Sequence, residues 1–240
     1  TRRSSSAASD VYKRQLLRKA INYAIDREKM MKFLRKNIGY PAVSGLVPNG
    51  LNNDFYSDRY FKNTELANKY LNEYKKINDI DNISLDLTTD AQYLDILEFI
   101  QSELKSLGID LKINITPPSI LRQGKATGKF SVFRASWIAD YANPENYFSL
   151  FYSKNHTPYG PNYTFFQNEE YDKLYEQTLS LNKKDELNKI YEKLEEIINE
   201  FSPIIPLYYD MSVRLKQKNI FGLKNNPINI LDLKTVYKKK

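Results

Sequence analysis

The chain has 240 residues, of which 41% are hydrophobic and 27% are charged, a composition typical of a folded globular protein. It has no cysteine and one histidine, which excludes disulfides and thiolate metal sites and argues against nucleophilic triads. No apolar run approaches the roughly 20 residues that a transmembrane helix needs. The net charge of +7 lies mainly in the tails, because residues 1–15 carry +3 and residues 238–240 carry another +3. A nucleic-acid-binding surface needs its Lys and Arg on the folded core, so nucleic acid is not the expected partner.

The first 63 residues contain two predicted helices and a long loop. Residues 1–15 are rich in Ser, Ala and Arg and lack hydrophobic periodicity, so we expect a disordered or artefactual segment there. Apolar residues at helical spacing predict a helix over 16–25, and Asp26 is the predicted N-cap of a second helix. Residues 40–63 hold several prolines and glycines and predict a long ordered loop, a kind of segment that is often functional.

A strand, a helix and a strand follow the helix that Thr64 is expected to cap. Residues 83–88 and 109–115 alternate apolar and polar side chains as half-buried strands do, and the apolar stripe between them predicts a helix. A strand–helix–strand unit of about thirty residues implies parallel pairing with a right-handed crossover. A third strand is expected over 130–137.

Two helices and several short strands are expected in the last third of the chain. Asn168 is the predicted cap of a helix over 169–181, and residues 183–201 predict the longest helix of the chain. Short strands are predicted at 203–209, 213–215 and 231–237. These elements predict an α/β fold in which helices flank a mixed sheet.

Residues 131–153 combine features of a ligand-binding segment. They hold Trp137, the only tryptophan, with Arg134 three residues before it and Asp140 three residues after it. The predicted strand breaks at Asn143, which precedes a proline, and ligands usually bind at the carboxyl edge of open α/β sheets. Aromatic neighbours lower the local dielectric constant around Asp140 and would strengthen its pairing with an incoming cation.

Each of these side chains also has a simpler structural interpretation. A strand-end aspartate such as Asp140 commonly caps a turn, and Trp137 could belong to the core. Arg134 needs an acidic partner or a ligand carboxylate, because an unpaired buried arginine is costly. His156, the only histidine, is expected to be a solvated loop residue.

Six motifs occur in the order in which they occur in one protein family. They are LRKAINYAIDREKM, YPAVSGLVP, ELKSLGIDLKI, SWIADYANPENY, EEYDKLYEQ and SPIIPLYY. Together they resemble the C-terminal half of the oligopeptide- and dipeptide-binding proteins of solute-binding protein family 5. These are the extracytoplasmic substrate-binding components of ABC importers, and the resemblance covers residues 16–237.

The resemblance implies a type II periplasmic-binding-protein-like fold, of which this chain holds only a part. Residues 16–205 would form the C-terminal lobe, and residues 206–240 would return to another lobe that precedes Leu16. Family members bind short peptides between their lobes and deliver them to membrane permease subunits. The resemblance therefore implies a monomeric, non-enzymatic protein without a cofactor or metal, located in the periplasm or lipid-anchored at the cell membrane of a bacterium.

The resemblance also implies roles for the residues of the W-x-x-D-Y segment. Asp140 matches the aspartate that pairs with the α-ammonium of the ligand, and Trp137 matches the tryptophan that lines the pocket. Arg134 matches an arginine that meets the ligand carboxylate in some members. Tyr141 and Asn143 complete the predicted ligand-binding set.

Three alternatives remain open at the level of sequence. A receptor of the same fold for a nickel chelate, haem or an oligosaccharide is the nearest alternative, although Asp140 favours a ligand with a cationic group. A basic nucleic-acid-binding module and a carboxylate-based hydrolase are more distant alternatives.

Overall fold

The computed structural model describes residues 2–48, 50–51, 59–226, 228 and 230–239, with side chains described from Lys13 onward. It contains eight α-helices within these ranges: α1 (Arg2–Ala24), α2 (Arg27–Leu34), α3 (Thr64–Asn78), α4 (Leu94–Ser106), α5 (Pro118–Ala126), α6 (Glu145–Phe148), α7 (Glu169–Thr178) and α8 (Lys184–Phe201). The strands are β1 (Tyr40–Pro41), β2 (Ile83–Thr89), β3 (Ile109–Ile115), β4 (Val132–Phe133), β5 (Tyr208–Tyr209), β6 (Ile220–Phe221) and β7 (Tyr237–Lys238). None of the described helices is both long enough and apolar enough to cross a membrane.

A three-stranded parallel sheet in the order β3-β2-β4 confirms the predicted strand–helix–strand unit. Strands β2 and β3 pair from Ile83 opposite Ile109 to Thr89 opposite Ile115. Two antiparallel pairs, β1 with β5 and β6 with β7, lie outside this sheet. The chain therefore contains parallel and antiparallel sheets flanked by helices, as the sequence predicts.

The third strand is much shorter than the prediction of 130–137. Within 130–137 only the two residues of β4 pair with β2, and this ladder ends where the Arg134 N–H donates to the Thr88 carbonyl at 3.1 Å. The reason is that β2 itself ends at Thr89, and Asp90 then caps a 3₁₀ turn by accepting from the Gln92 N–H at 3.0 Å. Beyond Arg134 the chain has no neighbouring strand with which to pair.

Helix α1 begins at Arg2, well before the start of the helix that the sequence predicts over 16–25. The absence of Gly and Pro lets the helix that was predicted over 16–25 continue in the N-terminal direction. Gln15 already belongs to the fold, since its amide donates to the carbonyl of Glu200 at 2.6 Å. Gln15 and Leu16 therefore both belong to α1.

Several helix caps follow from the sequence, and one lies a residue away from its predicted position. Asp26 caps α2 by accepting from the Lys29 N–H at 2.9 Å, and Asn168 caps α7 by accepting from the Tyr171 N–H at 2.8 Å. The cap of α3 is Asn63 rather than Thr64, because the Asn63 amide oxygen accepts from the N–H of Leu66 at 2.9 Å. Asparagine is at least as good an N-cap as threonine, so the first of two adjacent candidates caps the helix.

The short strands of the last third differ from their predicted positions. The predicted strand at 203–209 is reduced to β5, because Pro203 and Pro206 have no N–H to donate to a ladder. Residues 213–215 form no strand in the described chain. The predicted strand at 231–237 is replaced by β7, which pairs Tyr237 with Phe221.

Two clusters of buried apolar side chains form the core. The first lies between α1–α4 and the strands β2 and β3, and the second lies between the 46–47 loop, the region of α6, and helices α7 and α8. Residues 200–209, which we call the crossing segment, run between the two clusters. Ile204 packs against the second cluster, whereas Ile205 and Leu207 pack against the first.

One face of α1 supplies the hydrogen-bond donors for the crossing segment. Besides the Gln15 contact, Arg18 donates to the Ser202 carbonyl at 2.8 Å and Asn22 donates to the Ile204 carbonyl at 3.3 Å. Residues 15, 18 and 22 are spaced by three and four, so they lie on the same side of the helix. The carbonyl groups of Ser202 and Ile204, which lie before the paired residues of β5, are thus satisfied by side chains.

Arg27 extends this row of contacts from the first turn of α2. Its side chain is buried and makes five hydrogen bonds, including those to the carbonyl of Pro206 at 2.6 Å and the carbonyl of Tyr60 at 2.7 Å. Every one of the five acceptors is a neutral oxygen, and burial lowers the pKa of Arg27 to about 10. The guanidinium thus joins α1, the chain at Tyr60 and the crossing segment.

We expect Arg27→Met to lower the free energy of unfolding by about 3 kcal/mol, because several buried carbonyls lose their donor at once. Urea denaturation measures the loss. The control is Arg35→Met, since Arg35 contacts Asp95 at 2.8 Å in a partly exposed pair and should cost less than about 1 kcal/mol. Equal losses in the two variants would contradict a special role for Arg27.

Glu195 is a buried acid on the apolar face of α8. One carboxylate oxygen accepts from the N–H of Leu46 at 2.8 Å, and the other has no hydrogen-bond partner among the described atoms. A Cβ on Gly45 would lie 2.8 Å from this carboxylate, which explains the glycine in the loop. Burial raises the pKa of Glu195 to about 7, against the opposing effects of the Leu46 N–H and the charge of Arg59.

This raised pKa predicts a pH-dependent stability. Between its ordinary value of 4.5 and about 7, the folded state holds a proton at Glu195 that the unfolded state has released. The stabilisation from this group is complete below pH 4.5 and is lost as the pH rises through 7, a change of about 3 kcal/mol.

The difference in unfolding free energy between the wild type and Glu195→Gln isolates this effect, because other titrating groups are common to both proteins. Urea denaturation at a series of pH values between 4 and 8 should show that only the wild type loses this contribution. Parallel pH profiles for the two proteins would show that Glu195 does not titrate in this range.

Candidate ligand-binding site

The candidate site is built on the chain that leaves β4 and enters α6. Strand β4 is the last strand of the parallel sheet, so the chain that follows it leaves the carboxyl edge without a neighbour. Within the described chain, the main-chain N–H and C=O groups of residues 135–138 have no hydrogen-bond partner. Ala135, Ser136 and Ile138 are exposed, and Ile138 is 76% accessible. This stretch therefore offers unpaired main-chain donors and acceptors at the edge of the sheet.

Trp137 is half-buried, with its ring on the second core cluster and its indole N–H on α6. The indole nitrogen donates to the amide oxygen of Asn146 at 2.7 Å. The same oxygen accepts from the N–H of Asp140 at 3.3 Å. Trp137 thus serves in part as a core residue, and its hydrogen bond fixes the plane of the ring beside Asp140.

Asp140 is exposed, and its carboxylate has no hydrogen bond or ion pair with any residue that the structure describes. The simpler interpretation, in which this aspartate caps a turn, is not what the structure shows, because a capping carboxylate accepts a main-chain N–H. The residue before it, Ala139, is 7% exposed. A carboxylate at the rim of a buried turn is available to an incoming cation.

Arg134 lies on Tyr93, a residue that the sequence did not single out. The guanidinium carbon is 3.1 Å from the centre of the Tyr93 ring, and one terminal nitrogen donates to the Ser136 hydroxyl at 3.4 Å. No acidic side chain in the described ranges pairs with Arg134. Burial and then the charges of Arg134 and Arg122 lower the pKa of Lys125, against the opposing effect of Asp90, so that cations predominate around Arg134. This part of the site favours an anion.

Tyr141 and Asn143 contact protein groups on the opposite side of the turn. The Tyr141 hydroxyl donates to the carboxylate of Glu145, and the Tyr175 hydroxyl does so as well. Burial and then this carboxylate raise the pKa of Tyr141. The Asn143 amide oxygen accepts from the Glu145 N–H at 2.9 Å and from the Tyr191 hydroxyl at 3.1 Å. Asn143 therefore shapes the turn into α6, and Tyr141 is held beside Asp140.

His156 is not the solvated residue that the sequence predicts. It is half-buried, and its Nε2 lies 3.0 Å from the carbonyl of Phe166. Its ring centre is 5.6 Å from that of Phe165. It connects two ends of the loop before α7 and contacts none of the candidate ligand-binding residues.

The structure places Arg134, Trp137, Asp140, Tyr141 and Asn143 along one turn between the sheet and α6. The sequence did not single out the contacts that hold this turn, namely Tyr93, Glu145 and Asn146. The motif Asn-Pro-Glu-Asn carried a signal for one of them, Asn146, since asparagine beside a helix start often bonds the neighbouring main chain. Across the described part of the chain, no group of three His, Asp or Glu side chains could hold a metal ion.

The comparisons with known proteins agree with this architecture. The sequence pattern of the bacterial extracellular solute-binding proteins, family 5 Middle, matches residues 6–159. Since this match covers more than half of the chain, the chain belongs to that family, which consists of binding proteins rather than enzymes.

Among its relatives, the dipeptide-binding protein DppE of Bacillus subtilis is 28% identical over 235 residues, which is 93% of this chain and 42% of that protein. The solved murein tripeptide binding protein MppA of Escherichia coli is 27% identical with a TM-score of 0.78, over 94% of this chain and 45% of that one. The peptide-complexed DppA of Helicobacter pylori has a TM-score of 0.80 at 24% identity, covering 94% of this chain and 44% of that one, which shows the shared fold. The chain thus spans less than half the length of each of these three relatives.

Proposed function

We propose that this chain is part of the substrate-binding component of an ABC importer that captures short peptides outside the cytoplasm. Membership of the solute-binding family and the peptide-binding names of its relatives support this proposal. The observation that carries it is the exposed Asp140 carboxylate beside Trp137, which has no partner among the described residues. It lies at the end of the stretch 135–138, whose main chain is likewise unpaired in the described chain.

The recognition that we propose begins at the ligand's N-terminus. Asp140 pairs with the α-ammonium, and the indole of Trp137 excludes water from one side of this pair. The free N–H and C=O groups of 135–138 then hydrogen-bond the main chain of an extended ligand, which provides affinity without side-chain selectivity. Arg134, which has neighbouring cations and no acidic partner in the described chain, receives the ligand carboxylate.

The complete protein, in this proposal, closes two lobes around the peptide. Residues 16–205 form one lobe, and residues 206–240 are a return segment that belongs to the other. The exposed apolar side chains of this last segment support the division: Leu215 is 95% exposed, Val213 62% and Leu233 58%. Contacts from both lobes to the ligand shift the hinge equilibrium toward closure, and the closed monomer is the form that we expect the membrane permease to bind.

We expect Asp140→Ala to weaken the binding of a tripeptide with a free N-terminus by at least about thirtyfold in the complete protein. Removing one partner of a desolvated charge pair leaves the other without compensation, which costs about 2–5 kcal/mol. Isothermal titration calorimetry measures the change, and the N-acetylated tripeptide should bind the wild type as weakly as the free tripeptide binds the variant.

Asp86→Ala is the matched control, because Asp86 is an exposed acid on β2 outside the candidate site. It should leave the affinity unchanged. An Asp140→Ala protein that binds the free tripeptide with wild-type affinity would rule out the role proposed for this carboxylate.

A further inference from the structure

We infer that Asn146 is a positioning residue of the peptide site, whose side-chain oxygen holds both the Trp137 indole and the Asp140 main chain in their binding geometry. The inference rests on the proposed function, because it assigns to Asn146 the task of orienting the two groups that meet the ligand's N-terminus. Asn146 does not contact the ligand in this proposal.

The side-chain amide of Asn146 contacts both of the groups that it is proposed to position. An amide oxygen has two lone pairs, and the described structure uses both of them, one for the Trp137 indole N–H at 2.7 Å and one for the Asp140 N–H at 3.3 Å. Asn146 is 4% exposed, so no water competes for this oxygen at the surface. A hydrogen bond from the Asn146 side chain to the Tyr141 hydroxyl partly offsets the increase that burial causes in the pKa of Tyr141.

The rigidity of Asn146 itself is the second argument. It lies in the first turn of α6, where its own N–H donates to the Asn143 carbonyl at 3.2 Å. Its carbonyl accepts from the Ser149 hydroxyl at 2.8 Å. The main chain of Asn146 is therefore held on both sides. Its side chain can transmit this fixed position to the chain between Arg134 and Asp140, which we call the binding segment.

The scarcity of other contacts to the binding segment is the third argument. Between Arg134, which ends the β ladder, and Asp140, the main-chain groups of 135–138 have no partner in the structure as described. Besides the two hydrogen bonds of Asn146, one further hydrogen bond connects this segment to α6, between the main chain of Ala139 and the hydroxyl of Tyr147. Two of the three hydrogen bonds that connect 137–140 to α6 thus end on one oxygen atom. Without this oxygen the segment would become ordered only when the ligand binds. The conformational entropy lost in that step would lower the affinity for the ligand.

The test uses Asn146→Leu, which has a similar volume and no acceptor, and Asn146→Asp, which restores an oxygen at the same place. Asn146→Ser is measured alongside, so that a variant without this acceptor geometry is available if the leucine variant does not fold. The matched control is Asn162→Leu, because Asn162 is also fully buried and donates to two carbonyls, at 3.0 and 3.1 Å, away from the site.

The first measurement is the solvent exchange of the Trp137 indole N–H in the 240-residue chain by NMR. Trp137 is the only tryptophan, so its indole gives a single resolved signal. We expect exchange to accelerate roughly tenfold in Asn146→Leu and Asn146→Ser, as the loss of one buried hydrogen bond implies. Asn146→Asp should retain wild-type protection, and so should Asn162→Leu. Unchanged exchange in both Asn146→Leu and Asn146→Ser would overturn the inference.

The second measurement is the affinity ratio between a free and an N-acetylated tripeptide in the complete protein. A purely structural role would lower both affinities together, whereas a positioning role lowers the ratio, and we expect Asn146→Leu to reduce it at least tenfold. Asn162→Leu should keep the wild-type ratio. If the wild type bound the free and the N-acetylated tripeptide with nearly equal affinity, the proposed function would be contradicted. The indole exchange experiment would then still test, independently, whether Asn146 positions Trp137.

Discussion

The fold depends on how the crossing segment, residues 200–209, satisfies its carbonyl groups. Between α8, which ends at Phe201, and the β1–β5 pair, the segment contains two prolines and no strand. The carbonyl groups of Ser202, Ile204 and Pro206 therefore obtain no donors from a sheet in the described chain. Side chains of α1 and the guanidinium of Arg27 supply them instead. Because Ile204 packs against the second core cluster while Ile205 and Leu207 pack against the first, this row of contacts fixes the position of one cluster against the other.

The candidate site depends on the fixed position of the two core clusters, because it connects one to the other. Its binding segment leaves the parallel sheet of the first cluster at Arg134 and reaches α6 of the second at Glu145. The main chain of residues 135–138 has no hydrogen-bond partner in the described chain, and the Asn146 oxygen restrains the neighbouring groups at Trp137 and Asp140. A rigid frame around an unsatisfied main chain suits the capture of an extended ligand, because little further ordering is needed when the ligand binds. Asp140 and Arg134 give the two ends of this segment opposite charges, as a zwitterionic ligand requires.

The sequence predicted the elements whose signals are local. Alternating apolar residues identified β2 and β3, and the capping residues Asp26 and Asn168 fixed the starts of α2 and α7. The length of β4 could not be predicted, because it depends on where the neighbouring strand β2 ends rather than on the residues 130–137 themselves.

The candidate site was predictable to a similar degree. The W-x-x-D-Y motif located the exposed acid and the aromatic wall, but the tasks of Asn143 and Asn146 depend on which donors the folded chain brings to them. Glu195 was missed for the same reason. It lies four residues after Tyr191 and three before Ile198, on a buried helix face, yet its charge is typical of an exposed position.

The most direct test of the account is a crystal structure of the complete protein with a short peptide that has a free N-terminus. The account predicts that the ligand's ammonium nitrogen lies about 2.8 Å from a carboxylate oxygen of Asp140. It also predicts main-chain hydrogen bonds from the ligand to residues 135–138. A peptide whose ammonium pairs with a different acid, while Asp140 stays in solvent, would contradict it.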